Sequence, residues 1–215
     1  QAFLEEGLSF TDARKSIRSA AVSRVKAHIR LADRLGAGVI IGLIRGRGLG
    51  PDGDTESYLH EAMAACAACA RRSGVDLYIE PINRYETSLI NTVDEAIRWI
   101  QTLRCSNLKL LADTFHMNIE EPSVGGSLAR AMPFLGHVHV ADSNRRPPGC
   151  GHLNFREIIG ILEGLGYDRF VSMEMEPWPT PHEAARRGLA CIRPLLKNTK
   201  GRSDHETSTA RAPRQ

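Results

Sequence analysis

Four residues concentrate the chemistry of this chain: Glu80, Asp113, His139 and Glu174, each at or near the end of a short apolar run of strand length. The runs are VDLYIE, LKLLAD, HVHVAD and RFVSMEME, the last of which also carries Glu176. Strand parity puts Asp76, Tyr78 and Glu80 on one face, His137 with His139, and Ser172 with Glu174 and Glu176. A lone carboxylate inside an apolar strand is costly unless it is paired, protonated or bound to a metal. Three carboxylates and one imidazole form a hard, mostly oxygen ligand set, which suits Mn²⁺ first and Co²⁺ or Mg²⁺ after it. The competing reading is an internal salt-bridge network in which arginines such as Arg84 or Arg145 hold the acids. Four successive strand ends in agreement favour the metal.

The elements that must position these residues follow from hydrophobic periodicity. From Asp12 to Leu35 the apolar residues recur at intervals of three and four, and Gly36 follows as a stop signal, which predicts an amphipathic helix. GVIIGLI then reads as a strand covered on both faces. The alternation repeats: helices are expected over 55–73, 92–103, near Ser127, over 155–165 and over 182–196, each of the first four leading to one of the acid-bearing strands. Such alternation argues for a parallel sheet with helices outside it, either open and doubly wound or closed into a barrel. A barrel brings all its strand ends to one mouth, whereas four consecutive ends of an open sheet are spread too widely for one small site. The expected fold is therefore α/β, a (β/α)8 TIM barrel. Only five strands are legible, and a complete barrel takes about 250 residues, so the first three strands are expected to be missing from this chain. A five-strand piece exposes two edges and an apolar groove, which predicts poor solubility or obligate association as a homo-oligomer.

Composition narrows the alternatives. Of 215 residues, 42% are hydrophobic, enough for an ordinary core, so intrinsic disorder is excluded for most of the chain. No run approaches the roughly 20 apolar residues of a membrane span, and the N-terminus carries acids where a signal peptide carries bases; a soluble, cytoplasmic chain is expected. The net charge of +3 resides in the segment 197–215, leaving 23 bases and 23 acids in residues 1–196. A neutral body argues against a nucleic-acid partner, because phosphate neutralisation supplies most non-specific affinity. The segment 197–215 is expected to be a disordered basic tail beside a barrel domain over 1–196. Cys66 and Cys69 form a CxxC, but it lies in an Ala-rich helical stretch with no second pair, and stacking on one helix face is the favoured reading. RGRG at 45–48 reads as a barrel-mouth loop rather than a phosphate cradle, with Arg45 still a candidate contact for a substrate anion.

EPINRYET (80–87), LLADTFHMNIEE (110–121), GHVHVADSNRRPPGCGHLNF (136–155) and FVSMEMEP (170–177) resemble the sugar isomerase and epimerase superfamily of xylose isomerase-like barrels. Within it the chain is most similar to ketose 3-epimerases and 5-keto-L-gluconate epimerases, from about Phe3 to Leu196. The most specific element is DTFHMNIEE followed by an arginine six residues past the strand-end His139. The resemblance implies one divalent ion held by Glu80, Asp113, His139 and a glutamate on the last strand. Glu80 and that last glutamate would serve as base and acid, His116 and Arg145 would contact substrate oxygens, and Glu86 would help fix the substrate end. Two superfamily patterns place the last ligand at Glu174 or at Glu176. Glu174 is favoured, because Glu176 adjoins Pro177 and should lie beyond the regular strand.

The implied reaction is epimerisation of a ketose or keto-sugar acid through a metal-stabilised enediolate. A proton beside a carbonyl is weakly acidic, so the charge left by its removal must be stabilised, while one carboxylate takes the proton and another returns one. Return to the neighbouring carbon would instead interconvert aldose and ketose. Two other classes compete: an apurinic endonuclease-like nuclease using three zinc ions, disfavoured by the neutral body and by NRYET, and a truncated, non-catalytic barrel remnant.

Overall fold

The computed structural model describes residues 2–48 and 54–196, so the expected disordered tail and the glycine-rich 49–53 lie outside the described residues. A short helix α1 (Ala2–Glu6) precedes the long helix α2 (Lys15–Leu35), which buries Ala21, Val25, Ile29 and Ala32 of the stripe its periodicity predicts, while Ile17 is half-buried and Leu35 at the end is exposed. Gly36 ends it in the left-handed conformation, φ 64°, with its N–H on the last carbonyls of the helix. Then follow β1 (Val39–Ile41), a 3₁₀ turn (Leu43–Arg45), α3 (Thr55–Ser73), β2 (Leu77–Ile79), α4 (Val93–Leu103), β3 (Leu108–Asp113), α5 (Thr114–Glu120) and α6 (Val124–Ala131). The chain continues through β4 (Leu135–Val140), α7 (Phe155–Gly164), β5 (Val171–Met173), α8 (Pro181–Ile192) and a last 3₁₀ turn (Arg193–Leu195).

All five strands are parallel and lie in chain order, β1 to β5, as successive βα units of a barrel wall require. One face packs on the helices: Val39, Ile41, Leu77, Ile79, Leu108, Leu110, Val138 and Val140 are buried in the core. The opposite face is the inner wall, where Ile40, Tyr78 and Lys109 are register partners across three strands. There Ile40 is 41% exposed, so GVIIGLI is not covered on both faces. Tyr78 spans this floor: a Cβ at Gly38 would lie 2.3 Å from its Cε2, and one at Gly136 would lie 2.5 Å from its Cε1. The glycines leave the space that the ring fills. Gly136 is also the residue skipped where the β3–β4 register shifts, Leu110 pairing with Leu135 and Leu111 with His137.

Helix starts follow side-chain chemistry. Thr92 and Glu95 form a capping box on α4, while Ser123, Asn154 and Thr180 accept from the third residue of α6, α7 and α8. Two sequence expectations need correction. GVIIGLI is not one strand: pairing with β2 stops at Ile41, and Leu43–Arg45 turns as a 3₁₀ helix that carries the chain out of the sheet. Arg45 does not face a substrate. It is completely buried, with Nη1 donating to Ile41 O at 2.7 Å and Nη2 to Leu89 O at 3.2 Å, so its guanidinium ties the end of β1 to the loop before α4. The CxxC reading stands: Cys66 is a buried free thiol of α3, pushed up to about 12 by burial, and Cys69 is also free. Among the described residues no helix is long and apolar enough to cross a membrane.

Candidate metal centre

Glu80, Asp113, His139 and Glu174 come together at the C-terminal ends of β2 to β5, with one ligand atom from each lying within 4.8 Å of the others. His139 Nδ1 is central: 3.0 Å from Glu174 Oε2, 3.5 Å from Glu80 Oε1 and 3.9 Å from Asp113 Oδ2. Each position has a local cause. Asp113 closes β3 and N-caps α5, its Oδ1 accepting from Phe115 N at 2.8 Å, which leaves Oδ2 to the cluster. Glu80 follows β2 opposite Gly42, where a Cβ would come 3.2 Å from Oε2. Glu174 lies one residue past β5, its backbone N–H still reaching Val140 O. Glu176, the alternative last ligand, is exposed and outside the cluster, its N–H donating to Arg145 O at 2.8 Å.

The electrostatics describe negative charge gathered in a dry place. Burial pushes the Asp113 carboxyl up to about 7, with Arg145 opposing the rise and Glu80 adding to it. Burial alone would lower His139, but its hydrogen bond to Glu174, with Glu80 behind it, carries the imidazole to about 9. The same hydrogen bond holds Glu174 down at about 2. Glu80 Oε1 is buried and, among the described residues, has no donor nearer than His139 Nδ1 at 3.5 Å. Three convergent carboxylates, one of them with an unpartnered buried oxygen, and a single imidazole fit a divalent cation.

Arg145 sits beside this cluster, on the loop after β4, at φ 59°. Its Nη1 donates to Asp113 Oδ2 at 3.1 Å and its Nη2 to Glu174 Oε2 at 2.8 Å. His116, on α5, is buried, with Nε2 3.4 Å from Arg145 Nη1; burial, then the Arg145 charge, pushes it down to about 3. Glu86 stands 4.0 Å from His116 Nδ1. Glu80, Glu86, His116, Arg145 and Glu174 line one cleft of about 380 Å³, whose apolar wall includes Phe3 of α1 and Leu43 and Ile44 of the 3₁₀ turn. The seven site residues favoured from the resemblance thus meet in one place. Arg84 does not join the acids of the cluster; it pairs with Glu120 at 2.8 Å.

Three contributors went unread in the sequence. Asn83 bonds both His116 and Glu86. Asp142, completely buried, accepts from the N–H groups of Ser143, Gly149 and Leu153 and so shapes the loop that carries Arg145. Helix α1 contributes a cleft wall. The one signal for Asp142 was its place in VADSN, where an aspartate before Ser and Asn suits a turn.

A family model described as xylose isomerase-like TIM barrel matches residues 3–195. The chain belongs to this family. Among curated relatives it is 41% identical over 122 residues to the D-psicose 3-epimerase of Ruminiclostridium cellulolyticum, covering 57% of this chain and 41% of that protein. It is 33% identical over 168 residues to the L-ribulose 3-epimerase of Mesorhizobium japonicum, covering 76% and 57%. To the 3-dehydro-D-guloside 4-epimerase of Escherichia coli it is 34% identical over 143 residues, covering 66% and 54%. The chain thus spans about half the length of these relatives. A solved L-ribulose 3-epimerase structure superimposes with a TM-score of 0.80 at 28% identity, over 95% of this chain and 76% of that one. A 3-keto-D-glucoside 4-epimerase from E. coli gives 0.79 at 26%, over 87% and 75%. In this xylose isomerase-like chain, β1 to β5 form a five-strand parallel wall of the family's barrel, with the acid cluster at its C-terminal mouth.

Proposed function

We propose that this chain carries the catalytic centre of a divalent-metal-dependent epimerase of a ketose or keto-sugar acid. The observation that carries the reading is the convergence of Glu80, Asp113, His139 and Glu174 within 4.8 Å, beside the donors of Arg145 and His116. Similarity to 3- and 4-epimerases of keto sugars supports the substrate class. Glu80, Asp113, His139 and Glu174 would hold the ion, Mn²⁺ first and Co²⁺ or Mg²⁺ after it. When bound, the ion supplies the positive charge that stabilises oxygen beside the reacting carbon.

The protein's own groups do the rest. Glu80 Oε1, buried and without a donor, takes the proton beside the carbonyl. Glu174, oriented by His139 and Arg145 and open to solvent, takes up a proton there and returns it to the opposite face of the carbon. His116 Nε2 and Arg145 Nη1 bind a substrate oxygen, and Glu86 fixes the far end of the sugar. Among the described residues no further strand pairs with β1 or β5, and the exposure of Ile40 and Phe170 beside them supports self-association of this chain; a compact monomer by light scattering would remove that part of the reading.

The test is proton exchange in D₂O, with Mn²⁺, a panel of ketoses and keto-sugar acids, and a chelated control, followed by NMR. Metal-dependent deuterium uptake beside a carbonyl, abolished in Glu80→Gln, is expected, and the product formed separates epimerase from isomerase. No uptake by folded, metal-loaded protein with any substrate overturns the reading.

A further inference from the structure

Asn83 occupies the turn after β2, and every polar atom of its side chain is engaged. Oδ1 accepts from Tyr85 N at 3.0 Å, and Nδ2 donates to Glu86 Oε1 at 2.8 Å. These two partners fix the amide's orientation. Turned over, it would set its oxygen against the Glu86 carboxylate and its NH₂ against the Tyr85 N–H. Nδ2 therefore also faces His116 Nδ1, 2.8 Å away, and the Asn83 backbone N–H points at the same nitrogen from 3.3 Å.

Both groups that meet His116 Nδ1 are donors, so that nitrogen must carry its lone pair. A histidine with a bare Nδ1 is neutral, and its single proton is on Nε2. Nε2 lies 3.4 Å from Arg145 Nη1, itself a donor whose proton cannot be shed. Nη1 gives one N–H to Asp113 Oδ2 at 3.1 Å and turns the other toward Nε2, so with the tautomer that Asn83 sets two N–H groups converge, and an oxygen seated beside both satisfies them.

We propose that Asn83 is a positioning residue that locks His116 in the Nε2–H tautomer, making His116 and Arg145 a two-donor clamp for one substrate oxygen. The clamp's use in turnover rests on the epimerase reading; the tautomer does not. The acceptor is a carbonyl, hydroxyl or enediolate oxygen of a polyol carbon chain, and the clamp strengthens as negative charge gathers on it.

The test combines a spectrum with a rate. Long-range ¹H–¹⁵N spectra of the labelled 215-residue chain, metal-free and with diamagnetic Mg²⁺, report each ring nitrogen, and His116→Gln assigns the signals. The expected result is an unprotonated Nδ1 and a protonated Nε2. A protonated Nδ1 in the unmodified chain overturns the proposal, whatever the variants do. Asn83→Asp replaces the donor by an acceptor and should move the proton to Nδ1, slowing deuterium exchange on the order of 10- to 100-fold, as when other partners that fix a histidine's tautomer are lost. Asn83→Ala, which removes the donor without adding charge, should leave a mixture of tautomers and an intermediate rate. A slower rate with the tautomer unchanged would mark Asn83 as merely structural and overturn the proposal. The expected tautomer without exchange in the unmodified chain supports the assignment and counts against the epimerase reading alone.

Discussion

Asp113 and His139 are register partners on β3 and β4, and that pairing sets Asp113 Oδ2 3.9 Å from His139 Nδ1. Two groups whose protonation is shifted in the same direction, to about 7 and about 9, thereby share one ligand site. Without metal, the imidazolium proton is the cation among the carboxylates.

A metal must displace those protons, so its affinity should rise with pH. Mn²⁺ binding should strengthen about tenfold per pH unit for each proton released. His139 contributes up to about 9 and Asp113 adds a second proton below about 7. Titration calorimetry in buffers of different ionisation enthalpy counts the protons; an affinity flat from pH 6 to 9 contradicts this.

The two last-strand glutamates should separate cleanly. Glu174 reaches His139 at 3.0 Å and Arg145 at 2.8 Å, whereas the Glu176 backbone alone touches the site, through Arg145 O. Glu174→Gln should abolish deuterium exchange and weaken Mn²⁺ binding at least tenfold, on the scale of losing a charged ligand contact. Glu176→Gln should leave Mn²⁺ affinity within about twofold, since a surface charge change is worth under half a kcal/mol. Equal losses in both would remove the distinction.

Asp142 predicts an acid-sensitive loop. Burial would raise its carboxyl, but four backbone N–H donors outweigh burial and hold it below the usual range. A lowered folded-state pKa gives stability that is present above about pH 4 and lost as pH falls through the folded value. Urea denaturation should show this acid-limb loss in the unmodified chain and a smaller one in Asp142→Asn, where the other lowered carboxyls such as Glu174 remain. The Asn variant should be about 1–3 kcal/mol less stable at pH 7, because its amide cannot accept every N–H that the carboxylate did. An unchanged acid limb in the variant would place the sensitivity elsewhere.

The Tyr78 floor gives a packing test. Gly136→Ala puts a methyl 2.5 Å from Tyr78 Cε1 and 2.8 Å from Lys109 Cβ. Overpacking of this kind costs about 1–3 kcal/mol, and Tyr78→Leu in the same chain should recover part of it. Additive losses by thermal denaturation would mean that the ring is not what Gly136 accommodates.

Elements with a long period or a closing acid were legible: α2, α3 and α4 by their buried stripes, and the cluster by acids at successive strand ends. Helix α5 was not, because seven residues show no stripe and its N-cap, Asp113, reads equally as a strand end. Leu43 and Ile44 of the turn read as strand because an apolar β-branched run looks the same whether or not a neighbouring strand is there to pair with it. Arg45 and Asn83 owe their roles to partners dozens of residues away, Leu89 and His116, and spacing along the chain holds no trace of those.

The divided carboxylate of Asp113 ties ancestry to architecture. With Oδ1 anchoring the helix that carries His116 and Oδ2 facing the cluster, a descendant of this fold that gave up its chemistry could not discard the aspartate without loosening α5. The residue can outlive the reaction. An aspartate at this position in a related chain therefore marks an intact scaffold, and the proposed centre is better read from Glu80 and Glu174, which cap no helix.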